Sequence, residues 1–347
     1  MFIYEKNGKL NMQFGSGQIP VNVPTLQITK KETRIGSTII PEQGEIVSKP
    51  VVMGTEYFDT LQEAINACKD GDVISLLTNV KESNVEIAEG KNVGIDLNGY
   101  KLENDGDCHT ITNKGILTII DSVGTGVIDN TVHRKAALLN EQTGVAEIHS
   151  GTLNRSKEAG TSSGAGGNSY YTILNKGTMK ITSGVKVLQN NGTFSSLIDN
   201  GWYDGTQNTS KKPAVLFIEG GEFINGLNTL KNDDFGVMKI TGGKFVNSGE
   251  GVVLLNWNKC DISGGEFIVS NNTNAVIGNG YLDDESDIGV ITITSGTFRA
   301  NNKGNVLFTD GVGAKQGGSI TVEGGNFYGK LVSGLPFEII DNGNLLK

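Results

Sequence analysis

Proline, cysteine, histidine and basic charge are all scarce in this chain, and each scarcity closes off a class of protein. Six of the 347 residues are proline, and four of these (Pro20, Pro24, Pro41, Pro50) precede residue 51. The long remainder is therefore free to pair its backbone. Cys68, Cys108 and Cys260 stand far apart, with no Cys-x-x-Cys spacing. An odd, scattered set frames neither a disulfide scaffold nor a zinc site, and three buried thiols are expected. His109, His133 and His149 have no companion set of metal ligands, and no phosphate loop, H-E-x-x-H, G-x-S-x-G or EF-hand pattern occurs. No cofactor or metal is expected. Acids outnumber bases 38 to 29, giving a net charge of −9 and a pI near 5.0. That balance argues against nucleic acid and anionic membrane as partners. The opening Met1-Phe-Ile-Tyr-Glu-Lys6 is charged at positions 5 and 6. No signal peptide and no transmembrane span are expected.

Glycine is abundant, at 49 residues, but without the every-third spacing of collagen. It is concentrated in a hexad: Ile218-Glu-Gly-Gly-Glu-Phe223, Ile240-Thr-Gly-Gly-Lys-Phe245 and Ile262-Ser-Gly-Gly-Glu-Phe267, starting at steps of 22 residues. Looser copies begin at Ile148, Ile293 and Val322, and Ile181–Val187 carries one extra residue. A fixed short period with Val/Ile/Leu runs, glycine turns and no intervening helical pattern predicts stacked coils, a parallel β-helix. A second recurrence, an apolar residue two before Asn, runs through Asn113, Asn140, Asn175, Asn200, Asn232, Asn256 and Asn279, with Asp310 expected to continue it. Stacked coils align such residues into a ladder, since an amide both donates and accepts. Phe223, Phe245, Phe267, Phe298 and Phe327 are expected to stack likewise.

Three regions follow. Residues 1–55 lack the repeat, and their prolines make them an extended arm for attachment or oligomerisation. Within residues 56–72, Asp59–Cys68 is one clear helix. Asp59 or Thr60 is its cap, Thr60-x-x-Glu63 a capping box, Gly71 its stop, and Leu61, Ala64, Ile65 and Cys68 its apolar stripe. It should cover the open first coil. Residues 73–347 form the β-helix and a short C-terminal cap.

Steps between hexads longer than 22 mark inserted loops. Three, Gly201–Lys212, Tyr281–Asp287 and Gly311–Gly318, follow the Asn position, and a fourth, Arg155–Ser169, follows a hexad. The same turn gathers Trp202, Tyr203, Phe235, Trp257 and Tyr281, with Asp204, Asp233, Asp234, Asp283 and Asp284 beside them. Aromatic faces stack on sugar rings and carboxylates accept sugar hydroxyls, so this row suits a polysaccharide. The other reading is that the aromatics cover the loops and the acids keep an edge soluble. The paired acids 233/234 and 283/284 would also suit a glycosidase if they stood about 5–9 Å apart.

Tyr57–Leu77 (YFDTLQEAINACKDGDVISLL) and Asp96-Leu-Asn-Gly-Tyr-Lys-Leu102 resemble pectate-lyase-like right-handed single-stranded parallel β-helix proteins. They are most similar to those of bacteriophage fibres, spikes and bacterial surface proteins. The resemblance implies an all-β fold and spans about residues 57–330. It carries over no catalytic residue, because the calcium acids and catalytic arginine of the lyases have no match. It implies a virion structural protein, a head fibre, decoration or tail spike. Such a protein is assembled in the host cytoplasm, docked on capsid or tail proteins through its N-terminal arm, and built as a homo-oligomer, as a trimer. Its recognition target would be a host-surface polysaccharide. A depolymerase and a cell-surface adhesin are the alternatives.

Overall fold

The computed structural model describes residues 49–329, apart from 133, 157–170, 190–194, 203–204, 250, 271–274, 281–287, 302–303 and 310–317. Before Lys49 it describes the backbone of six short strands. The chain divides into two units, residues 1–49 and 50–347. In the first, three antiparallel pairs form: Phe2–Lys6 with Lys9–Gln13, Leu26–Ile28 with Ile46–Ser48, and Glu32–Ile35 with Thr38–Pro41. Pro41, which has no N–H to give a ladder, closes its strand.

The second unit is nearly all β, with one α-helix among the described residues and strands that pair in parallel from one rung to the next. The 22-residue step is the rung-to-rung register itself: Ile218 pairs with Ile240 and Ile240 with Ile262. The same column runs back through Ile181 and Ile148 and on to Ile293 and Val322. A nine-stranded sheet, its strands adjacent in chain order from Val85–Ile87 to Leu307–Thr309, carries the Asn column. Eighteen further strands make the other sheet. The architecture is β-helix-like, with a continuous apolar core of Ile, Leu, Val and Phe between the sheets.

The hexad's glycines have separate duties. A Cβ on Gly264 would stand 2.2 Å from the Thr241 carbonyl oxygen of the preceding rung, so the first glycine permits close approach of two turns. Gly265 has φ +103°, a conformation that side chains resist. The phenylalanines then stack face to face, 4.7 to 4.9 Å between centroids from Phe223 to Phe327. That is the strand spacing itself. Upstream rungs fill the same column with Leu102, Ile128, Leu153 and Val187.

The Asn ladder is continuous. Each buried side-chain amide donates to the next, Asn113 to Asn140 to Asn175 to Asn200 to Asn232 to Asn256 to Asn279, at 2.7–2.8 Å. At the last rung the register pairs Asn279 with Thr309, not Asp310. The expected continuation through Asp310 is therefore off by one residue, because buried Leu307 pairs with Ile277 and so opens the strand.

The α-helix, α1 (Leu61–Ala67), is capped by Thr60, whose Oγ1 accepts from Glu63 N–H at 3.1 Å; Glu63 in turn accepts from Asp59 N–H. The Glu82 carboxylate also accepts from the Leu61 and Gln62 N–H groups, both at 2.8 Å. This charge sits where the helix dipole favours an anion. Leu61, Ala64 and Ile65 are buried against the first rung, where α1 meets the strands at 51–53, 56–58, 72–76 and 85–87. Cys68 and Cys260 are buried free thiols, but Cys108, in the turn after Asn104, is only half-buried. The expectation of three buried thiols fails there.

Candidate functional site

On the nine-stranded sheet the three-residue strands from Val85–Ile87 to Ile277–Asn279 bury their first and third side chains, and the middle one falls on the other face. Asp199, Lys231 and Leu255 are middle residues of adjacent strands. Outward residues are ordinarily solvated, yet Asp199 and Lys231 are fully buried, as is Asp233 just beyond the Asn ladder. Lys231 Nζ forms an ion pair with Asp233 Oδ2. Asp199 meets Asp233 carboxyl to carboxyl; burial foremost, then the neighbouring Asp233 charge, hold the Asp199 carboxyl well above the usual carboxylate range, against the pull of Lys231. That direction favours the neutral acid, the form that costs least to bury beside a second carboxyl.

Aromatic rings enclose this group. The Trp257 ring centroid lies 4.5 Å from Lys231 Nζ and that of Tyr171 5.9 Å. Trp257 is placed by its own N–H, which donates to the Asn232 carbonyl oxygen at 2.8 Å. Trp202 and Asp234 exchange two backbone hydrogen bonds of 3.2 Å across adjacent rungs. The Trp202 indole is buried and meets Phe235 edge-on at 6.4 Å. Phe235 itself holds φ +58°, unusual for a bulky residue, and Lys211 Nζ sits 5.0 Å from its ring.

Of the row read from the sequence, the structure brings Trp202, Phe235 and Trp257 to one turn. Phe235 and Trp257 are partly exposed, whereas Trp202 is turned in. Tyr203, Asp204, Tyr281, Asp283 and Asp284 lie outside the described residues. Asp233 and Asp234 are both buried. Sequence reasoning passed over Asp199, Lys231 and Tyr171. The available signal was a pair of opposite charges in the middle position of neighbouring rungs, where the adjoining rungs on either side carry Leu174 and Leu255. Elsewhere, His109 accepts at Nδ1 from Ala136 N–H (2.8 Å), and burial followed by Lys135, Lys176 and Arg155 lowers its pKa to about 4, so it stays neutral. Among the described residues no cluster of His, Cys, Asp and Glu is placed to hold a metal, and no helix is long and apolar enough to cross a membrane.

Fold and site together define a stacked parallel-β protein that buries a charged trio under aromatic rings at the turn after the Asn ladder. In comparisons with known proteins, no family model, no curated protein and no solved structure matches the chain.

Proposed function

We propose that residues 73–347 are a right-handed, single-stranded parallel β-helix of the pectate-lyase-like kind. The whole chain is then a non-enzymatic bacteriophage virion protein, a head fibre, decoration protein or tail spike. In this reading residues 1–55 dock on capsid or tail proteins, the assembly is a homotrimer, and the loop-bearing edge recognises a host-surface polysaccharide. The observation that carries it is the unbroken register of the stack, kept from rung to rung by one amide ladder and one phenylalanine column. Trp257, partly exposed on that edge, is the aromatic face offered to a sugar. A depolymerase would need a carboxyl pair open to substrate, whereas Asp233 and Asp234, the one of the two acid pairs read from the sequence that lies among the described residues, are both buried.

Two experiments test this reading. On a glycan array, Trp257→Ala should weaken binding by about 2 kcal/mol, roughly 30-fold. Circular dichroism is measured alongside because the ring also covers Lys231; unchanged binding by a folded variant would overturn the reading of this edge. Deleting residues 1–49 should leave a folded stack that no longer joins virions or partner proteins. Normal incorporation of the shortened chain would remove the arm from the attachment role.

A further inference from the structure

The trio beneath Trp257 poses a problem of its own. Lys231, Asp233 and Asp199 expose none of their surface, so no substrate reaches them as they stand. A buried ion pair is also a weak device for stability, because the desolvation of two charges offsets most of their attraction. Groups sealed in this way can react only with one another.

We propose that Lys231 and Asp233 condense into an intramolecular amide bond, with Asp199 as the acid that assists the condensation. The geometry supports each requirement. Lys231 and Asp233 are two residues apart, their side chains fall on the same side of the chain, and the amine already touches the carboxylate. Aromatic faces on the amine, Trp257 at 4.5 Å and Tyr171 at 5.9 Å, exclude water. The reacting groups are held together by a segment of one intervening residue, which replaces an encounter in solution with a short ring closure. Asp199, fully buried beside Asp233 and with its carboxyl pKa raised by burial and by the Asp233 charge, is the group placed to give a proton to the Asp233 carboxyl.

The step balances without an outside reagent. The Lys231 ammonium passes a proton to the Asp233 carboxylate, leaving a neutral amine and a carboxylic acid. Nζ then attacks Cγ of Asp233. Asp199 gives its proton to the departing hydroxyl and regains one from the nitrogen. The Nζ–Cγ bond forms, the Cγ–OH bond breaks, and one water leaves. The product replaces an ion pair by an uncharged amide and ties the turn after the Asn ladder to its own strand.

Mass spectrometry of the intact, full-length protein tests the proposal. The chain should be lighter than its sequence mass by one water. After denaturation trypsin should fail to cut after Lys231, so that the peptide running on to Lys239 carries the loss. Lys231→Met, Asp233→Ala and Asp199→Ala, each checked for folding by circular dichroism, should restore the full mass. A wild-type chain at full sequence mass, cut normally after Lys231, would overturn the proposal without recourse to any variant. So would a water loss that tandem spectra place at an aspartate–glycine step such as Asp70-Gly71, which is succinimide chemistry. A water loss that persists in Asp199→Ala would remove Asp199 from the reaction.

Discussion

Phe267→Ala should lower the unfolding free energy by about 3–5 kcal/mol, the usual cost of removing a fully buried phenylalanine. Phe267 lies between Phe245 at 4.7 Å and Phe298 at 4.8 Å, stacked within 17° of parallel with both, and is completely buried. The backbone on either side is pinned by rung pairing. The column therefore cannot close over the gap, and the vacancy remains a cavity rather than collapsing. Phe327→Ala, in the last described ring of the column, should cost less, since it removes a neighbour on one side instead of two. Urea denaturation of both variants beside the parent decides this. A loss below about 1 kcal/mol for Phe267→Ala would show that the column is not part of the stabilising core.

The amide ladder should respond to Asn256→Leu, a substitution that keeps the branched outline of the side chain and removes its polarity. Asn256 accepts from Asn232 and donates to Asn279, both at 2.8 Å, and to the Asn258 carbonyl oxygen at 2.6 Å. Leucine would leave these buried groups without their partner, at about 1–3 kcal/mol for each one not rescued by another contact. Some rescue is built in, because Asn232 also donates to the Gly236 and Lys259 carbonyl oxygens. Loss of the Asn279 acceptor's only ladder donor should therefore dominate. Asn256→Asp tests the same point differently: it keeps an acceptor for Asn232 but has no donor for Asn279. Equal stability of parent and both variants in thermal and urea melts would show that the ladder aligns the rungs without stabilising them.

The two columns illustrate why so much of this fold was legible in advance. Stacking at about 4.8 Å places every residue beside its equivalent one period away. A hexad at 22-residue steps therefore states its own pairing partners, and the register of Ile218, Ile240 and Ile262 follows. Gly264 and Gly265, the Asn and Phe columns, and α1 with its Thr60 cap were readable for the same reason: each is a local or strictly periodic requirement. The reading slipped where periodicity weakened, at Asp310, when an irregular interval moved the inward position by one residue.

What the sequence by itself determined is thus which side chains face inward and what they meet there. What only the tertiary structure decided is the fate of the outward ones. Asp199 and Lys231 occupy positions that periodicity assigns to solvent, and Trp202 belongs to a row that composition suggests for recognition. Yet all three are buried. Their burial depends on Tyr171, Trp257 and Phe235, which come from other rungs and from turns of unequal length. An outward position is covered or exposed according to packing between segments far apart in the chain, and no repeat in the sequence encodes that packing.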